Sequence, residues 1–135
     1  MAQRQRKVMV VDDEHYVHCW LRKVLEERGY EVEVCADAEE GLERCARDPK
    51  RYGLVFMDVC FPEGAVGYGM ARSIAALQPD GGPAIIGMTG HRAFYDMKES
   101  RRAGMADLIL KPLFPHLVGN LADRHFMSET PPERV

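Results

Sequence analysis

Short apolar stretches alternate with amphipathic stretches five times along the 135 residues of this chain, and that alternation restricts its fold more than any other feature. The first and third apolar stretches are uninterrupted, as is typical of strands that are buried on both faces of a sheet. The second alternates apolar and polar side chains, which predicts a strand with one exposed face. The predicted strands are residues 7–12, 30–35, 53–58, 84–88 and 106–110.

The segments that follow these strands place apolar residues at helical spacing. They predict helices over residues 14–28, 38–46, 70–77, 92–103 and 113–126, with glycine- and proline-containing loops at 61–69 and 78–83. Asp37 is expected to cap the second helix, and Gly29 and Gly104 are expected to end the first and the fourth. Strands that alternate with helices imply right-handed crossovers and a parallel sheet with helices on both faces. The predicted fold class is therefore α/β, a doubly wound (βα)5 domain with a five-stranded parallel sheet.

The charge and hydropathy of the chain exclude several classes of protein. Its formal net charge is −3, so it lacks the basic excess that is typical of nucleic-acid binding. No apolar run approaches the roughly 18–20 residues that are needed to span a bilayer. The basic start of the chain is followed by four apolar residues and then three acidic residues, which does not match a secretory signal. We therefore expect a cytoplasmic protein that binds neither nucleic acid nor a membrane.

The length of the chain predicts one folded domain, because domains typically span roughly 100–200 residues. We assign this domain to residues 7–126. Residues 1–6 form an N-terminal extension in this interpretation, and residues 127–135 form a flexible C-terminal tail that is polar and contains two adjacent prolines.

Polar side chains follow four of the five predicted strands, at the point where each strand ends. In chain order they are Asp12, Asp13 and Glu14 after the first strand, Asp58 after the third, Thr89 after the fourth and Lys111 after the fifth. The carboxyl ends of parallel strands meet at one edge of the sheet, where ligands of such folds bind. We therefore expect these side chains to lie close together.

Carboxylates that lie close together repel one another unless a positive charge lies among them. Two unit charges about 4 Å apart repel by roughly 4 kcal/mol at an effective dielectric constant near 20. A hard divalent cation such as Mg²⁺, which prefers oxygen ligands, relieves that repulsion. A carboxylate that is held beside a metal ion and the ammonium group of Lys111 can attack a phosphoryl donor, because both cations stabilise charge on the transferring oxygens.

The chain resembles the receiver domain of two-component response regulators over residues 7–126. The resemblance is carried by the acidic run that ends at Glu14, by Asp58 with Pro62 four residues later, and by two dipeptides after the fourth and fifth strands, Thr-Gly and Lys-Pro. Each feature alone is weak, but all of them in this order at strand ends are specific. The resemblance implies a flavodoxin-like fold and a phosphoprotein of a phosphorelay.

The resemblance also implies a metal site. Asp12 and Asp13 correspond to the acidic pair that binds Mg²⁺, with Asp58 as a further ligand. The backbone carbonyl of Cys60 would complete the protein ligands.

Three residues correspond to the phosphorylation machinery of this family. Asp58 resembles the phosphoacceptor, Thr89 the switch hydroxyl and Lys111 the lysine that contacts the phosphate. The peptide bond between Lys111 and Pro112 is expected to be cis, as is usual in the family.

The implied function is a signalling switch that accepts a phosphoryl group from a sensor histidine kinase or a histidine phosphotransfer protein. Such a domain is not an enzyme beyond assisting its own phosphoryl transfer and dephosphorylation. Its output would be a downstream protein or a second copy of itself, bound through the last two helices and the fifth strand.

Several positions depart from the family pattern. Leu108 stands where an aromatic switch residue is usual, so signal output is expected to rely on the loop after Thr89 instead. Phe61 replaces a common methionine, and the loop at residues 63–69 looks longer than usual. Cys60 and His91 occupy the variable positions that flank the site.

Two other functions are compatible with parts of this pattern. The first is a pseudo-receiver of the same fold that binds proteins without being phosphorylated. The second is a phosphohydrolase with an aspartate nucleophile, similar to the haloacid dehalogenases, but the Asp-x-Asp-x-Thr sequence of those enzymes is absent after the first strand.

Overall fold

A computed structural model describes residues 7–62, 64–77 and 82–127. The expectations for the extension at residues 1–6 and for the tail from residue 128 onwards lie outside the described residues. In the part of the chain that the structure covers, no helix is long and apolar enough to cross a membrane.

The described chain folds into five strands and five helices, in the alternating order that the sequence predicts. The elements are β1 (Lys7–Val11), α1 (His15–Glu26), β2 (Glu31–Cys35), α2 (Ala38–Arg47), β3 (Leu54–Asp58), α3 (Val66–Leu77), β4 (Ala84–Thr89), α4 (Met97–Arg102), β5 (Asp107–Leu110) and α5 (Pro115–Met127). All strand pairs are parallel, and the strand order is β2-β1-β3-β4-β5. The predicted α/β fold with a five-stranded parallel sheet is therefore confirmed.

The core consists of two apolar layers, one on each face of the sheet. Successive side chains of a strand point to opposite faces, so Val8 and Val10 of β1 contact the layer of α1 and α5. Met9 and Val11 contact the layer of α2 and α3 instead. Every residue of β3, the central strand, is buried. This burial on both faces explains why β3 has no polar residue before its last one, Asp58.

Helix α3 begins at Val66, four residues before the start that the sequence predicts, and the loop before it is correspondingly shorter. The prediction was wrong because two glycines were interpreted as loop residues. Gly67 instead lets the first turn of α3 approach the end of β3. Its N–H donates to the carbonyl of Val59 at 2.9 Å, and a Cβ atom here would lie 2.1 Å from the carbonyl oxygen of Asp58.

The continuous helix predicted over residues 92–103 is also wrong. A short 3₁₀ turn occupies Arg92–Phe94, and α4 starts only at Met97. The side chain of Asp96 starts this new helix, because it accepts hydrogen bonds from the N–H groups of Lys98 and Glu99 at 3.0 and 3.1 Å.

The other predicted helix signals are confirmed. Asp37 caps α2 by accepting a hydrogen bond from the N–H of Glu40 at 2.7 Å. Gly29 and Gly104 adopt positive φ angles of 89° and 83° after α1 and α4.

Candidate functional site

Three carboxylates meet where β1 and β3 end side by side. Asp12 and Asp13 follow β1, and Asp58 is the last residue of β3, the neighbouring strand. One carboxylate oxygen from each of the three lies within 4.8 Å of the others. Asp12 and Asp58 are buried, whereas Asp13 is exposed at the mouth of the site. The acidic cluster expected from the strand ends is therefore present.

Lys111 reaches this cluster from the end of β5. Its Nζ atom lies 2.8 Å from Oδ2 of Asp12, 3.3 Å from Oε1 of Glu14 and 3.9 Å from Oδ2 of Asp58. The side chain of Lys111 is only 13% exposed, so these contacts act in a poorly hydrated environment. Sequence reasoning grouped Glu14 with the other strand-end side chains but assigned it no role as a metal ligand or in phosphoryl transfer.

The cluster holds more negative charge than Lys111 can balance. Burial and the neighbouring charge of Asp12 raise the pKa of Asp58 to about 7, and Lys111 only partly opposes this rise. Burial likewise raises the pKa of Asp12 against its hydrogen bond with Lys111. Three carboxylates with unmet charge and an open side match the oxygen donors that a hard divalent cation prefers. The residues present therefore fit Mg²⁺.

Hydrogen bonds hold both the side chain and the backbone of Asp12. Its Oδ1 atom accepts a hydrogen bond from the N–H of Glu14 at 2.9 Å. Its backbone carbonyl accepts a hydrogen bond from Nε2 of His18, a buried residue of α1, at 2.5 Å. No sequence signal separated this histidine from an ordinary packing residue, because only the path of α1 brings its ring back over the end of β1.

Cys60 lies beside the acidic cluster. Its N–H donates to Oδ1 of Asp58 at 3.3 Å, and Cys60 lines a cleft together with Asp13 and Asp58. Its carbonyl remains a predicted ligand. His91 lines the same cleft from the opposite loop, so both variable flanking positions face the site as expected.

Thr89 ends β4 next to this cluster, but its hydroxyl points elsewhere. The register pairs Asp58 with Met88, so Thr89 lies one residue beyond the end of β3. Its hydroxyl is fully buried, accepts a hydrogen bond from the N–H of His91 at 3.1 Å and donates to the His91 carbonyl at 3.3 Å. Its carbonyl accepts a hydrogen bond from the N–H of Lys111 at 2.7 Å. The structure thus brings Thr89 to the correct edge of the sheet and engages its hydroxyl with the following loop.

The peptide bond between Lys111 and Pro112 is cis, as predicted. Every residue that the sequence assigned to the site therefore lies at or beside the carboxyl edge of the sheet.

Comparisons with known proteins give one family. The family model of the response regulator receiver domain matches residues 8–120. The chemotaxis protein CheY of Thermotoga maritima is 27% identical over 114 residues, which make up 84% of this chain and 91% of CheY. The two-component response regulator PprB of Pseudomonas aeruginosa is 31% identical over 116 residues, which make up 84% of this chain and 41% of PprB. The chain spans less than half the length of several such relatives.

Solved structures agree with this match. A CheY-like response regulator receiver domain protein from Methanospirillum hungatei JF-1 superimposes with a TM-score of 0.78 and 26% identity. The superposition covers 93% of this chain and 97% of that one. Since the matching family model spans most of the strands and helices described above, the chain belongs to the response regulator receiver domain family, whose members are signalling modules.

Proposed function

We propose that this chain is a phosphorylation-controlled switch in which Asp58 accepts a phosphoryl group in the presence of Mg²⁺. The observation that carries the proposal is the contact of the Lys111 ammonium group with Asp12 and its approach to Asp58 at the open edge of the sheet. In this geometry, the nucleophilic carboxylate of Asp58 and the positive charge of Lys111 lie close together at the same edge of the sheet.

The metal would be held by the carboxylates of Asp12, Asp13 and Asp58 and by the carbonyl of Cys60. Bound there, Mg²⁺ would neutralise the carboxylates and the developing charge of the phosphoryl oxygens. The chain itself holds Asp12 in place through His18 and keeps Asp58 buried at the base of the cleft. These contacts hold the carboxylates of Asp12 and Asp58 in position without a bound ion.

The phosphoryl donor is a phosphorylated histidine of a sensor kinase or phosphotransfer protein. A carboxylate oxygen of Asp58 attacks phosphorus, and the bond between phosphorus and the donor nitrogen breaks. The electron pair of that bond returns to the donor's imidazole. Lys111 lies close enough to contact the phosphoryl oxygens, and the hydroxyl of Thr89 turns from His91 to donate a hydrogen bond to one of them.

The output surface is the face of α4, β5 and α5, which binds a downstream protein or a second copy of the chain in the cytoplasm. Two large apolar side chains of these helices are exposed, Met97 of α4 and Leu117 of α5. Exposed apolar groups on a phosphorylation-sensitive face favour protein binding over a purely solvated role.

Intact mass spectrometry tests the proposal. The wild-type protein, incubated with Mg²⁺ and acetyl phosphate, should gain the mass of one phosphoryl group. Asp58→Asn should gain none, because it lacks the nucleophilic oxygen, and chelation of Mg²⁺ should abolish the gain in the wild type. Asp123→Asn is the matched control, since Asp123 is bound by Arg28 far from the cleft, and it should be modified like the wild type.

An unchanged wild-type mass, or a gain that persists in Asp58→Asn, would contradict the proposal. Steady turnover of a generic phosphate ester would contradict it as well, because the chain would then be a hydrolase. Sedimentation of the phosphorylated sample tests the second of these outputs: a doubled mass identifies a second copy as the partner, and an unchanged mass rules it out.

A further inference from the structure

Strand β5 carries no aromatic ring or hydroxyl that could respond to Thr89. Leu108 is 2% exposed and packs against Gly87 of β4, where an added Cβ atom would lie 2.8 Å from its Cδ1 atom. Leu108 therefore fills the core tightly and has no polar atom with which to form a new hydrogen bond. Any mechanical link from Thr89 to the helices must use other side chains.

The loop after Thr89 provides the first part of such a link. The two hydrogen bonds of the Thr89 hydroxyl fix the backbone of His91. The ring of His91 lies edge-on to the ring of Phe94, with 5.8 Å between centroids and 78° between planes. Phe94 is partly buried and packs against the apolar layer of α2 and α3. The position of Thr89 is thereby connected to the position of the 3₁₀ turn.

Tyr68 of α3 holds the other end of this loop. Its hydroxyl donates to the carbonyl of Phe94 at 2.5 Å and accepts a weaker hydrogen bond from the N–H of Asp96 at 3.4 Å. Asp96 is the residue whose side chain caps α4. The hydroxyl of Tyr68, a buried residue, therefore connects the loop after Thr89 to the start of α4. One turn later on α3, Arg72 forms an ion pair with Glu99 of α4 at 3.0 Å.

Helix α4 depends on these contacts for its position. It has six residues, and among them only Ser100 is buried. A helix of this length is not stable on its own in water. Segments with few buried contacts open at low free energy and are the ones that move in conformational switches.

We propose that Tyr68 is the positioning residue that couples Thr89 to α4, in place of an aromatic residue on β5. This inference rests on the proposed phosphorylation of Asp58. In the unphosphorylated chain, Thr89 and Tyr68 hold the two ends of the loop at residues 91–96. When the Thr89 hydroxyl turns to the phosphoryl group, the end at His91 is released, and the hydrogen bonds of Tyr68 to Phe94 and Asp96 rearrange with the loop.

Hydrogen exchange of the 135-residue chain, measured by mass spectrometry, tests this coupling with Tyr68→Phe. The variant keeps the buried ring and removes only the hydroxyl. In the unphosphorylated state, amides of residues 94–100 should exchange about threefold to tenfold faster than in the wild type, as expected for the loss of one hydrogen bond. The additional change on phosphorylation should then be smaller than in the wild type, because one restraint on the loop is already lost.

Tyr52→Phe is the matched control. Tyr52 is equally buried and donates to Glu33 at 2.6 Å, but it lies before β3 and outside this link. Its variant should exchange like the wild type at residues 94–100 in both states. A general loss of stability would affect both variants, whereas a loss of coupling affects only Tyr68→Phe.

Two results would overturn the inference: exchange at residues 94–100 that is the same in Tyr68→Phe and Tyr52→Phe, or a full phosphorylation-dependent change in Tyr68→Phe. Intact mass, recorded on the same samples, separates this failure from failure of the proposed function. If the wild type gains no phosphoryl group, the proposed function fails, and the comparison of the two unphosphorylated variants still decides whether Tyr68 holds the loop.

Discussion

At the scale of single residues, the site is a balance between buried carboxylates and one ammonium group. Asp12 and Asp58 would each be better solvated outside the fold, and their raised pKa values reflect that. Lys111 offsets part of this penalty through its short contact with Asp12. A bound divalent cation would offset more of it, so the carboxylates proposed to bind the ion are a cost to the stability of the metal-free domain.

This balance predicts the behaviour of Lys111→Ala. Without Mg²⁺ the variant should be about 1–3 kcal/mol less stable than the wild type, because the buried Asp12 loses its charged partner. Mg²⁺ should stabilise the variant at least as much as the wild type, because the competing cation is gone while the metal ligands remain. Urea unfolding with and without Mg²⁺ measures both effects, and the exposed Lys98→Ala is the control.

Metal affinity distinguishes this role of Lys111 from that of a ligand. Trp20 is the single tryptophan and lines a cleft together with Lys111, so its fluorescence can follow Mg²⁺ titration. Asp13→Ala should weaken Mg²⁺ binding, whereas Lys111→Ala should not. Equal losses of affinity in the two variants would show that Lys111 does not have the role assigned to it.

At the scale of elements, the start of α3 depends on one glycine next to Asp58, the proposed phosphoacceptor. In Gly67→Ala the new Cβ atom would lie 2.1 Å from the carbonyl oxygen of Asp58 and 2.6 Å from the Cα atom of Val59. Both are backbone atoms, so the helix must shift or its first turn must unwind. Gly69, two residues later, has no atom within 4 Å of such a Cβ.

These two glycines predict opposite effects of the same substitution. Gly67→Ala should destabilise the domain by about 2–4 kcal/mol through overpacking and should slow phosphorylation of Asp58. Gly69→Ala should stabilise the domain by about 0.5–1 kcal/mol, because alanine favours the helix. Thermal unfolding of both variants measures the difference. Destabilisation of similar size in both would mean that Gly67 does not make this close approach.

The same glycines show where sequence reasoning fails at this scale. The helical spacing of α1 and α2 was sufficient to place those helices to within about two residues. The early start of α3 was not predictable, because a glycine that permits close packing and a glycine in a loop look alike in one sequence. The break before α4 was missed for a related reason: the loop before Asp96 is contacted by Tyr68 of another helix, and a contact so distant in the sequence leaves no local pattern.

At the scale of the whole molecule, the strand ends made the site predictable. A parallel sheet brings the ends of β1, β3, β4 and β5 to one edge, so the polar residues at those ends could be assigned together. The contacts of Glu14 and His18 could not be assigned, because they depend on side-chain paths rather than on strand order. The opposite, amino-terminal edge of the sheet gave no sequence signal at all.

At that opposite edge, one glutamate forms ion pairs with basic residues from several elements. Glu33 of β2 contacts Lys7 of β1 at 3.2 Å, Arg44 of α2 at 3.4 Å and Arg51 at 2.5 Å. Glu33 also accepts a hydrogen bond from the hydroxyl of Tyr52 at 2.6 Å. These residues are far apart in the sequence, and they connect two strands, one helix and the turn before β3.

The cluster around Glu33 predicts the acid sensitivity of the fold. Burial opposes ionisation of Glu33, but the hydrogen bonds from Arg51, Tyr52 and Lys7 outweigh it and lower its pKa from 4.5 to about 2. Because the pKa of Glu33 is lower in the folded chain than in the unfolded chain, ionised Glu33 stabilises the fold. This contribution to the free energy of unfolding is complete above about pH 4.5 and is lost as the pH falls towards 2. Between pH 6 and pH 3 the wild type should therefore lose about 2 kcal/mol more stability than Glu33→Gln, which carries no titrating proton there. Urea unfolding at the two pH values measures this loss, and Glu43→Gln, whose ion pair with Arg47 is 72% exposed on both sides, should behave like the wild type. Equal acid losses in the wild type and Glu33→Gln would show that the charge of Glu33 does not stabilise this edge of the sheet.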